Sequence, residues 1–356
     1  NTEKRLKLFA DRSHYTAANR YTLNDVVKAL WNERTPEERV RVYGQWVTRF
    51  EAVPEPAAAE VCLLPMKWHY YRQHHLLNLA QHSAAQAQQA GKPFVIFSGG
   101  DSPARVNIPG AYVFEQAGYR SRQDGTLRRG LPASLPDYLQ LYGSGQVVLR
   151  KKAPKPVVGF CGQGGGNPFQ AALRRVLNVG RRGAFRLGLF AEEPPPFETT
   201  AFRERVLRVF ERSAGVQTNF IRRNRYRAGV QAVHDHHHPS RLEFVRNILD
   251  SDYTLCMRGG GNFSVRFYET LSLGRIPVFI DTDCLLPWHN QLDYRQSFVS
   301  IEHGALPYAA EKLADFHAGL SADDFEQLQL NCRRLWVEYL SMNGFYSEFA
   351  RGGWIG

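Results

Sequence analysis

The sequence predicts an α/β protein with two domains, each built around a parallel β-sheet. Short apolar runs at residues 60–65, 93–98, 157–162 and 276–280 alternate with longer helical patterns. Strands and helices that alternate at this spacing are typical of βαβ units, in which the strands run parallel. The length predicts two domains, because a chain of 356 residues is long for a single hydrophobic core.

A boundary between the two domains is predicted near residue 150. Residues 120–155 show no regular periodicity and are rich in glycine, proline and arginine, which is typical of a linker. We therefore assign residues 1–150 to the first domain, 151–325 to the second and 326–356 to a C-terminal helical segment. Residues 1–55 are expected to be mostly helical. Helices are predicted at residues 22–31, 36–50, 67–90, 169–179, 200–213, 240–249 and 321–340.

Composition and cysteine usage restrict the class of protein and its compartment. A hydrophobic content of 43% with 12% aromatic residues is typical of a globular chain. No apolar run is long enough to cross a membrane, although a chain that starts at Asn1 leaves open that an N-terminal anchor was removed. Five scattered cysteines without zinc spacing indicate free thiols in a reducing compartment. We expect a cytoplasmic protein, peripheral to the inner membrane, or a Golgi lumenal one if the source is eukaryotic.

The net charge of +11 predicts anionic partners. A basic surface of this kind fits nucleic acid, an anionic membrane surface or an anionic glycan. No nucleic-acid-binding motif is present, so nucleic acid is not expected as a partner. A dispersed, solvated basic surface is the alternative, and composition alone leaves it open.

The segment from residue 253 to 288 carries the strongest functional signal. It predicts a strand at 253–257, a glycine turn, an amphipathic helix and a strand at 276–280, with Asn262 as the helix cap. A glycine turn that leads into a helix N-terminus suits a phosphate, because it presents backbone N–H groups and the positive end of the helix dipole. Two arginines and a hydroxyl nearby are suited to a diphosphate, and a carboxylate one turn later to sugar hydroxyls. The candidate donor-binding residues are Arg258, Gly259, Gly260, Gly261, Ser264, Arg266 and Glu269.

This segment resembles the C-terminal signature of the exostosin family of glycosyltransferases. The family pattern runs from Cys-x-x-Arg-Gly through Ser-x-Arg-Phe-x-Glu to Gly-x-Ile-Pro-Val and a Leu-Pro pair. In this sequence the matching positions are Cys256, Arg258, Gly259, Ser264, Arg266, Phe267, Glu269, Gly274, Ile276, Pro277, Val278, Leu286 and Pro287. The resemblance covers residues 245–340.

The resemblance implies a GT-B fold, with two facing Rossmann-like domains and a C-terminal helix that braces the first. It implies an inverting enzyme that moves a sugar, from a UDP-sugar by family resemblance, to a glycan acceptor in cell-surface polysaccharide synthesis. Glu269 is then the partner of the donor's ribose or sugar hydroxyls. The structural alternative for this carboxylate is an ion pair with Arg266, three residues earlier on the helix. No metal and no cofactor is expected. Asp281-Thr-Asp283 is interpreted as structural, and the histidine cluster at 234–239 as an exposed loop.

The remaining candidates lie outside that segment. Asp101 is the candidate general base, because it follows a strand and a glycine turn at the edge where α/β folds bind ligands. Its structural alternative is an aspartate that forms a turn. Arg222 and Arg223 follow another strand and are further candidates for the diphosphate, with a solvated surface as the alternative. The acceptor-side candidates are Trp68, His69 and His236.

Two other classes of function remain open at this point. One is a non-catalytic module that binds a glycan or nucleotide, and the other is a basic nucleic-acid-binding protein. A sugar-nucleotide epimerase is not expected, because residues 162–166 lack the glycine spacing and the acidic partner of an NAD-binding motif.

Overall fold

The computed structural model describes residues 4–103, 105–122, 124–164, 168–189, 194–195, 198–223 and 236–355, and the backbone alone for residues 168–175. The chain forms two compact units. The first unit comprises Asn1–Pro132, Leu285–His289 and Glu338–Gly356. The second unit comprises Ala133–Cys284 and Asn290–Val337.

The first unit is built on a six-stranded parallel sheet within the part of the chain that is described. Its strands are β1 (Leu6–Phe9), β2 (Phe50–Ala52), β3 (Val61–Leu63), β4 (Phe94–Phe97), β5 (Tyr112–Glu115) and β6 (Leu127–Gly130). They lie in the order β2-β1-β3-β4-β5-β6, and the neighbours pair in parallel. The central strands β3 and β4 are apolar and buried along their whole length, as is typical of parallel strands with covered faces.

Two predicted helices of the first unit are interrupted by a single residue. The first four helices of the chain belong to this unit. They are α1 (Asp25–Leu30), α2 (Pro36–Tyr43), α3 (Trp68–Gln73) and α4 (Leu77–Gln89). The helix expected at 67–90 breaks between α3 and α4, where His75 has φ 57°. The helix expected at 36–50 ends at Gly44, with φ 100°, and a 3-10 helix follows at Gln45–Arg49. Left-handed backbone is incompatible with a continuous right-handed helix, and hydrophobic periodicity does not report it.

Four strands of the first sheet, β1, β2, β5 and β6, were not predicted. Strand β6 falls inside the segment that was interpreted as a linker, and its sequence LRRG is not apolar. Arg128 of β6 is nevertheless buried, with Nη1 2.9 Å from Oε1 of the buried Glu115 of β5. A charged residue enters the sheet here because its partner on the adjacent strand compensates for the cost of burial.

The second unit holds a five-stranded parallel sheet within the described residues. Its strands are β7 (Val157–Gln163), β8 (Gln217–Arg223), β9 (Tyr253–Met257), β10 (Ile276–Asp281) and β11 (Val299–Glu302). They lie in the order β11-β10-β9-β7-β8, again with parallel pairings. The predicted α/β class with a parallel sheet in each of two parts is therefore confirmed.

The helices of the second unit are α5 (Tyr138–Tyr142), α6 (Pro168–Arg186), α7 (Thr199–Glu211), α8 (Pro239–Leu249), α9 (Val265–Ser272), α10 (Ala309–Gly319) and α11 (Ala322–Leu335). The predicted helices at 200–213 and 240–249 are confirmed as α7 and α8. The helix expected at 321–340 is α11 followed by a π-helical turn at Trp336–Leu340. No helix in the described part of the chain combines the length and apolar composition that a membrane span requires.

The structure divides the chain earlier than residue 150. Residues 133–150 belong to the second unit, because Tyr138 and Leu139 of α5 pack into its core against Cys161, Phe244 and Val245. The side chain of Asp137 also caps α5 by accepting from Leu139 N at 3.0 Å. The lack of periodicity around α5 reflects a five-residue helix that docks by its aromatic side chain.

The last helix, α12 (Met342–Ala350), belongs to the first unit. It packs on the first sheet through Phe349, whose ring centroid lies 6.0 Å from that of Phe97 and 5.3 Å from that of Phe114. The indole ring of Trp354 stacks on Phe349, with 5.0 Å between centroids, and also contacts the ring of Phe114. Aromatic packing thus ties the end of the chain to the first sheet.

Candidate functional site

The candidate donor residues follow the carboxyl end of β9 in the second unit. Strand β9 ends at Met257, and Arg258 with the three glycines forms the loop before α9. Helix α8 leads from the loop after β8 back to the start of β9, so its first turn lies at the same carboxyl edge. This edge is where α/β sheets bind ligands.

The glycine loop is held by a buried polar cluster centred on Asn262. Arg258 is buried, and its Nη1 donates to Asn262 Oδ1 at 3.1 Å. Thr282 Oγ1 donates to the same oxygen at 2.7 Å, and Asn262 Nδ2 donates to the carbonyl of Asp283 at 3.1 Å. The prediction that Asn262 caps the helix is wrong, since Ser264 is the N-cap residue of α9. Asn262 serves instead to connect the loop to the segment after β10.

The three glycines provide space rather than an unusual backbone conformation. None of them has a positive φ. Around Gly260, which is exposed, an added Cβ would meet no atom within 4 Å. The loop is anchored from within, because Gly259 N donates to the carbonyl of Phe263 at 3.1 Å. A ligand can therefore approach the backbone at Gly260 closely.

Arg266 lies against the end of β7. Its Nη2 donates to the carbonyl of Cys161 at 2.7 Å, and its Nη1 donates to that of Leu255 at 3.4 Å. The guanidinium carbon is 4.2 Å from the ring centroid of Phe160, a cation–π contact. Burial lowers the pKa of Arg266, and nearby Glu269 partly opposes that shift. Both amino groups thus bind backbone carbonyls of the sheet.

Glu269 is a buried carboxylate with two partners from distant parts of the second unit. Its Oε1 accepts from the hydroxyl of Tyr138 at 2.8 Å and from Arg241 Nη1 at 3.1 Å. No partner for Oε2 lies in the described part of the chain. Arg241, rather than Arg266, is therefore the ion-pair partner of Glu269.

The ion pair is reinforced by the ring of Tyr138. Arg241 Nη2 donates to the Tyr138 hydroxyl, and its guanidinium carbon lies 5.1 Å from the centroid of that ring. Burial opposes the charge on Arg241, but the attraction of Glu269 together with Tyr138 and Tyr142 outweighs it, so the pKa of Arg241 is raised. Burial, followed by the charge of Glu269, raises the pKa of Tyr138 well above its usual range. Beside the Glu269 side chain, Arg241 is therefore a charged guanidinium and Tyr138 a neutral phenol.

His236, an acceptor-side candidate, lies beside this group. Its Nδ1 is 3.4 Å from the hydroxyl of Tyr142, and the two rings meet edge to face. Tyr142 in turn packs edge to face on Tyr138, with 5.1 Å between centroids. Of the neighbouring histidines, His234 lies outside the described residues, and His238 accepts from Ser240 N as the N-cap of α8.

The two arginines at the end of β8 are engaged in ion pairs. Arg222 binds Glu211 through two donors, of which Nη2 is 2.8 Å from Oε2, and its Nε is 3.4 Å from Glu204. The hydrogen bond with Glu211 raises the pKa of Arg222. Arg223 Nη2 donates at 2.6 Å both to Glu243 and to the carbonyl of Ser240. These contacts direct both guanidinium groups towards α7 and α8.

In the first unit, His69 and the loop after β4 lie together. An added Cβ on Gly100 would lie 3.0 Å from His69 Nε2, and Gly100 has φ 87°. Asp101 follows in a bend and is exposed. Trp68 is buried, and its Nε1 donates to the carbonyl of Arg105 at 2.9 Å, so its indole secures the adjacent loop.

Metal ligation was not predicted, and Asp281 has a structural role. Its Oδ1 accepts from Cys284 N at 2.8 Å and closes the turn after β10. Among the described residues, no group of three or more histidine, cysteine or acidic side chains is placed to hold a metal ion.

Tyr138, Tyr142 and Arg241 were missed by the sequence reasoning. The two tyrosines stand four residues apart on one short helix, so their spacing places them on one face. That spacing is a signal for packing, and nothing in it indicates Glu269 as the partner. Arg241 belongs to a large set of basic residues, 45 in this chain, and no local pattern distinguishes it.

Comparisons with known proteins give structural neighbours only. No family model matches the chain, and no curated protein matches it. Among solved structures, it is similar to Anabaena Alr3699/HepE in complex with UDP-glucose, with 9% identity over 97% of this chain and 98% of that chain and a TM-score of 0.35. It is similar to a glycosyltransferase from Rickettsia africae ESF-5, with 8% identity, coverage of 99% and 98% and a TM-score of 0.38. It is also similar to TarM, with 10% identity, coverage of 74% and 55% and a TM-score of 0.29.

Proposed function

We propose that this chain is an exostosin-like, inverting glycosyltransferase that transfers a sugar from a UDP-sugar to a glycan acceptor. The observation that carries the proposal is Glu269, held buried by Tyr138 and Arg241 at the carboxyl edge of the second sheet. It occupies the position that the sequence signature assigns to a donor-binding carboxylate. In this proposal the enzyme acts in cell-surface polysaccharide synthesis, at the cytoplasmic face of a membrane.

The proposed donor site uses the chemistry of the two groups at this edge. Oε2 of Glu269 accepts hydrogen bonds from the ribose hydroxyls, while Oε1 remains bound to Tyr138 and Arg241. The diphosphate lies over the open backbone at Gly260, near the first turn of α9 and the hydroxyl of Ser264. Because both amino groups of Arg266 bind carbonyls of the sheet, its role here is to position the strand end and to supply positive charge at short range.

Transfer with inversion takes place in one displacement. A general base removes the proton of the acceptor hydroxyl, whose oxygen forms a bond to the anomeric carbon as the bond to the diphosphate breaks. We retain Asp101 as the base, because it is exposed in a loop that follows a strand of the first sheet. The leaving diphosphate is stabilised by arginine and backbone N–H groups, and no metal or other cofactor is required in this proposal. His69 and His236 are the proposed contacts to the acceptor.

Nucleotide binding tests the donor site. Isothermal titration of the full chain with UDP, UDP-glucose, GDP and ADP should show the tightest binding for the uridine nucleotides. Glu269→Gln should weaken UDP binding about 10- to 150-fold, since a hydrogen bond to a charged group contributes about 1.5–3 kcal/mol. The matched control is Glu243→Gln. This variant removes a half-exposed carboxylate of α8 that pairs with Arg223. If both variants bind UDP like the wild type, the donor-site assignment is wrong.

Activity separates an enzyme from a binding module. Release of UDP from a UDP-sugar in the presence of a glycan acceptor should be abolished or strongly reduced in Asp101→Asn, while UDP still binds. Asp124→Asn, which alters another carboxylate of the first unit that is bound to Arg128, is the control for general damage. UDP binding without any transfer by the wild type would favour the non-catalytic module. Full transfer activity in Asp101→Asn would exclude this residue as the base.

A further inference from the structure

One segment of the second unit exposes an unusual density of large apolar side chains. Among the described residues, five such side chains fall within residues 176–189, each 58% to 79% exposed. They are Val176, Leu177, Val179, Leu187 and Leu189. Scattered exposed apolar residues are normal on a protein surface, but a contiguous group indicates a binding surface.

The outward face of α6 forms an apolar stripe. Val176, Gly180 and Gly183 follow one another at helical spacing, so they lie along one side of the helix, and Leu187 lies in the turn directly after it. An added Cβ on Gly180 or Gly183 would meet no atom within 4 Å, so no residue of the described part of the chain covers the stripe at these two positions. Phe185 lies on the opposite side of the helix and is buried.

The stripe is flanked by positive charge. Arg181, Arg182 and Arg186 lie within residues 176–189, and this segment contains no aspartate or glutamate. None of the three forms an ion pair within the described part of the chain. By contrast, Arg222 and Arg223 of the same unit are both paired with glutamates.

We propose that residues 176–189 bind the surface of an anionic lipid bilayer. Apolar side chains between arginines are the arrangement of an interfacial helix, in which the apolar face enters the headgroup boundary and the cations meet lipid phosphates. Charge complementarity favours a lipid surface over a second copy of the chain, because two copies packed on this stripe bring their unpaired arginines together. In this arrangement the axis of α6 lies in the plane of the membrane surface.

Vesicle flotation of the full chain, without nucleotide, tests the proposal independently of the proposed enzymatic activity. The protein should float with vesicles of phosphatidylcholine mixed with phosphatidylglycerol, and much less with phosphatidylcholine alone. Val176→Ser combined with Leu177→Ser should weaken binding by at least about tenfold for each side chain that enters the interface. The matched control, Val148→Ser with Leu330→Ser, alters exposed apolar residues elsewhere on the second unit and should bind like the wild type.

The contribution of the arginines is tested by removing three of them, with a control variant that loses the same charge elsewhere on the protein. Removing Arg181, Arg182 and Arg186 by substitution with glutamine should weaken binding about 100-fold at low salt, at about fivefold for each cation near the lipid surface. The control triple variant changes arginines that are 61% to 87% exposed elsewhere, namely Arg208, Arg295 and Arg351. High salt should reduce binding of the wild type.

Three results would overturn the proposal. The first is no flotation with either vesicle, and the second is equal loss of binding in the test and control variants. The third is a concentration-dependent dimer, measured by light scattering, that disappears in the Val176→Ser and Leu177→Ser variant. That result would assign the stripe to a second copy of the chain.

Discussion

The hydroxyl of Tyr138 should contribute measurably to the stability of the second unit. It donates to Glu269 Oε1 at 2.8 Å from a fully buried ring. Because the pKa of Tyr138 is raised, the phenol keeps its proton and remains a donor above pH 10, where an ordinary tyrosine ionises. Tyr138→Phe removes this donor, together with the oxygen that accepts from Arg241 Nη2, and preserves the ring that packs against Arg241. A hydrogen bond to a carboxylate contributes about 1.5–3 kcal/mol, so we expect a loss of that size in the free energy of opening.

Hydrogen exchange measures the loss where it occurs. In a peptide that spans α9, slow amides should exchange about 10- to 150-fold faster in Tyr138→Phe, as local opening becomes more favourable by that free energy. Tyr308→Phe is the matched control, because Tyr308 of the second unit is 61% exposed. Combining Tyr138→Phe with Glu269→Gln should give less than the sum of the two separate effects, since both changes weaken one contact. Unchanged exchange in α9, or strict additivity, would refute the role of this hydrogen bond.

Three further predictions concern stability and reactivity. Burial lowers the pKa of His14 in the folded protein, although the charge of Asp11 opposes this shift. As the pH falls below about 6.5, His14 is therefore protonated in the unfolded chain before it is protonated in the folded protein. Stability of the first unit should therefore be full above that pH and decline below it, and His14→Gln should flatten this dependence in urea unfolding. Gly159→Ala should cost about 1–3 kcal/mol of unfolding free energy because its Cβ would lie 2.7 Å from that of Ser251. Gly180→Ala, at a position of α6 with open space around it, should stabilise the protein by about 0.5–1 kcal/mol. A stabilising Gly159→Ala or a destabilising Gly180→Ala would contradict the packing described at these two glycines. All five cysteines are buried and free with raised thiol pKa values, so Ellman's reagent should react slowly at neutral pH and with all five after denaturation.

The parts of the fold that sequence predicts are those in which one physical requirement repeats along the chain. Strands β9 and β10 are buried along their whole length, and this burial demands the apolar runs from which they were predicted. Strand β6 could not be predicted from an apolar run, because its buried Arg128 is paired with Glu115 from a strand that comes earlier in the chain. Its stability depends on a tertiary contact, and the composition of the segment alone is that of a loop.

The candidate site likewise has one part that the sequence predicts and one part that it does not. The glycine loop and Glu269 belong to one continuous strand–turn–helix unit, so their spacing along the chain is also their spacing in the structure. Tyr138 and Arg241 reach Glu269 from 131 and 28 residues away, and only the assembled unit brings them together. Tyrosine and arginine are common in this chain, so residue type alone does not identify these two as partners of a buried carboxylate.

The choice of Arg241 over Arg266 as the partner of Glu269 follows from what each arginine already binds. Both are close to the carboxylate, and a pairing with Arg266 three residues earlier on α9 is geometrically accessible. Arg266, however, lies on the ring of Phe160 and donates to the carbonyl of Cys161 at 2.7 Å, so turning it towards Glu269 would leave a buried carbonyl at the end of β7 without its donor. Such a loss costs about 1–3 kcal/mol, more than an added ion pair typically returns at a partly exposed site. Arg241 is one-third exposed and carries a smaller desolvation cost, so it takes the carboxylate while Arg266 holds the strand end beneath it.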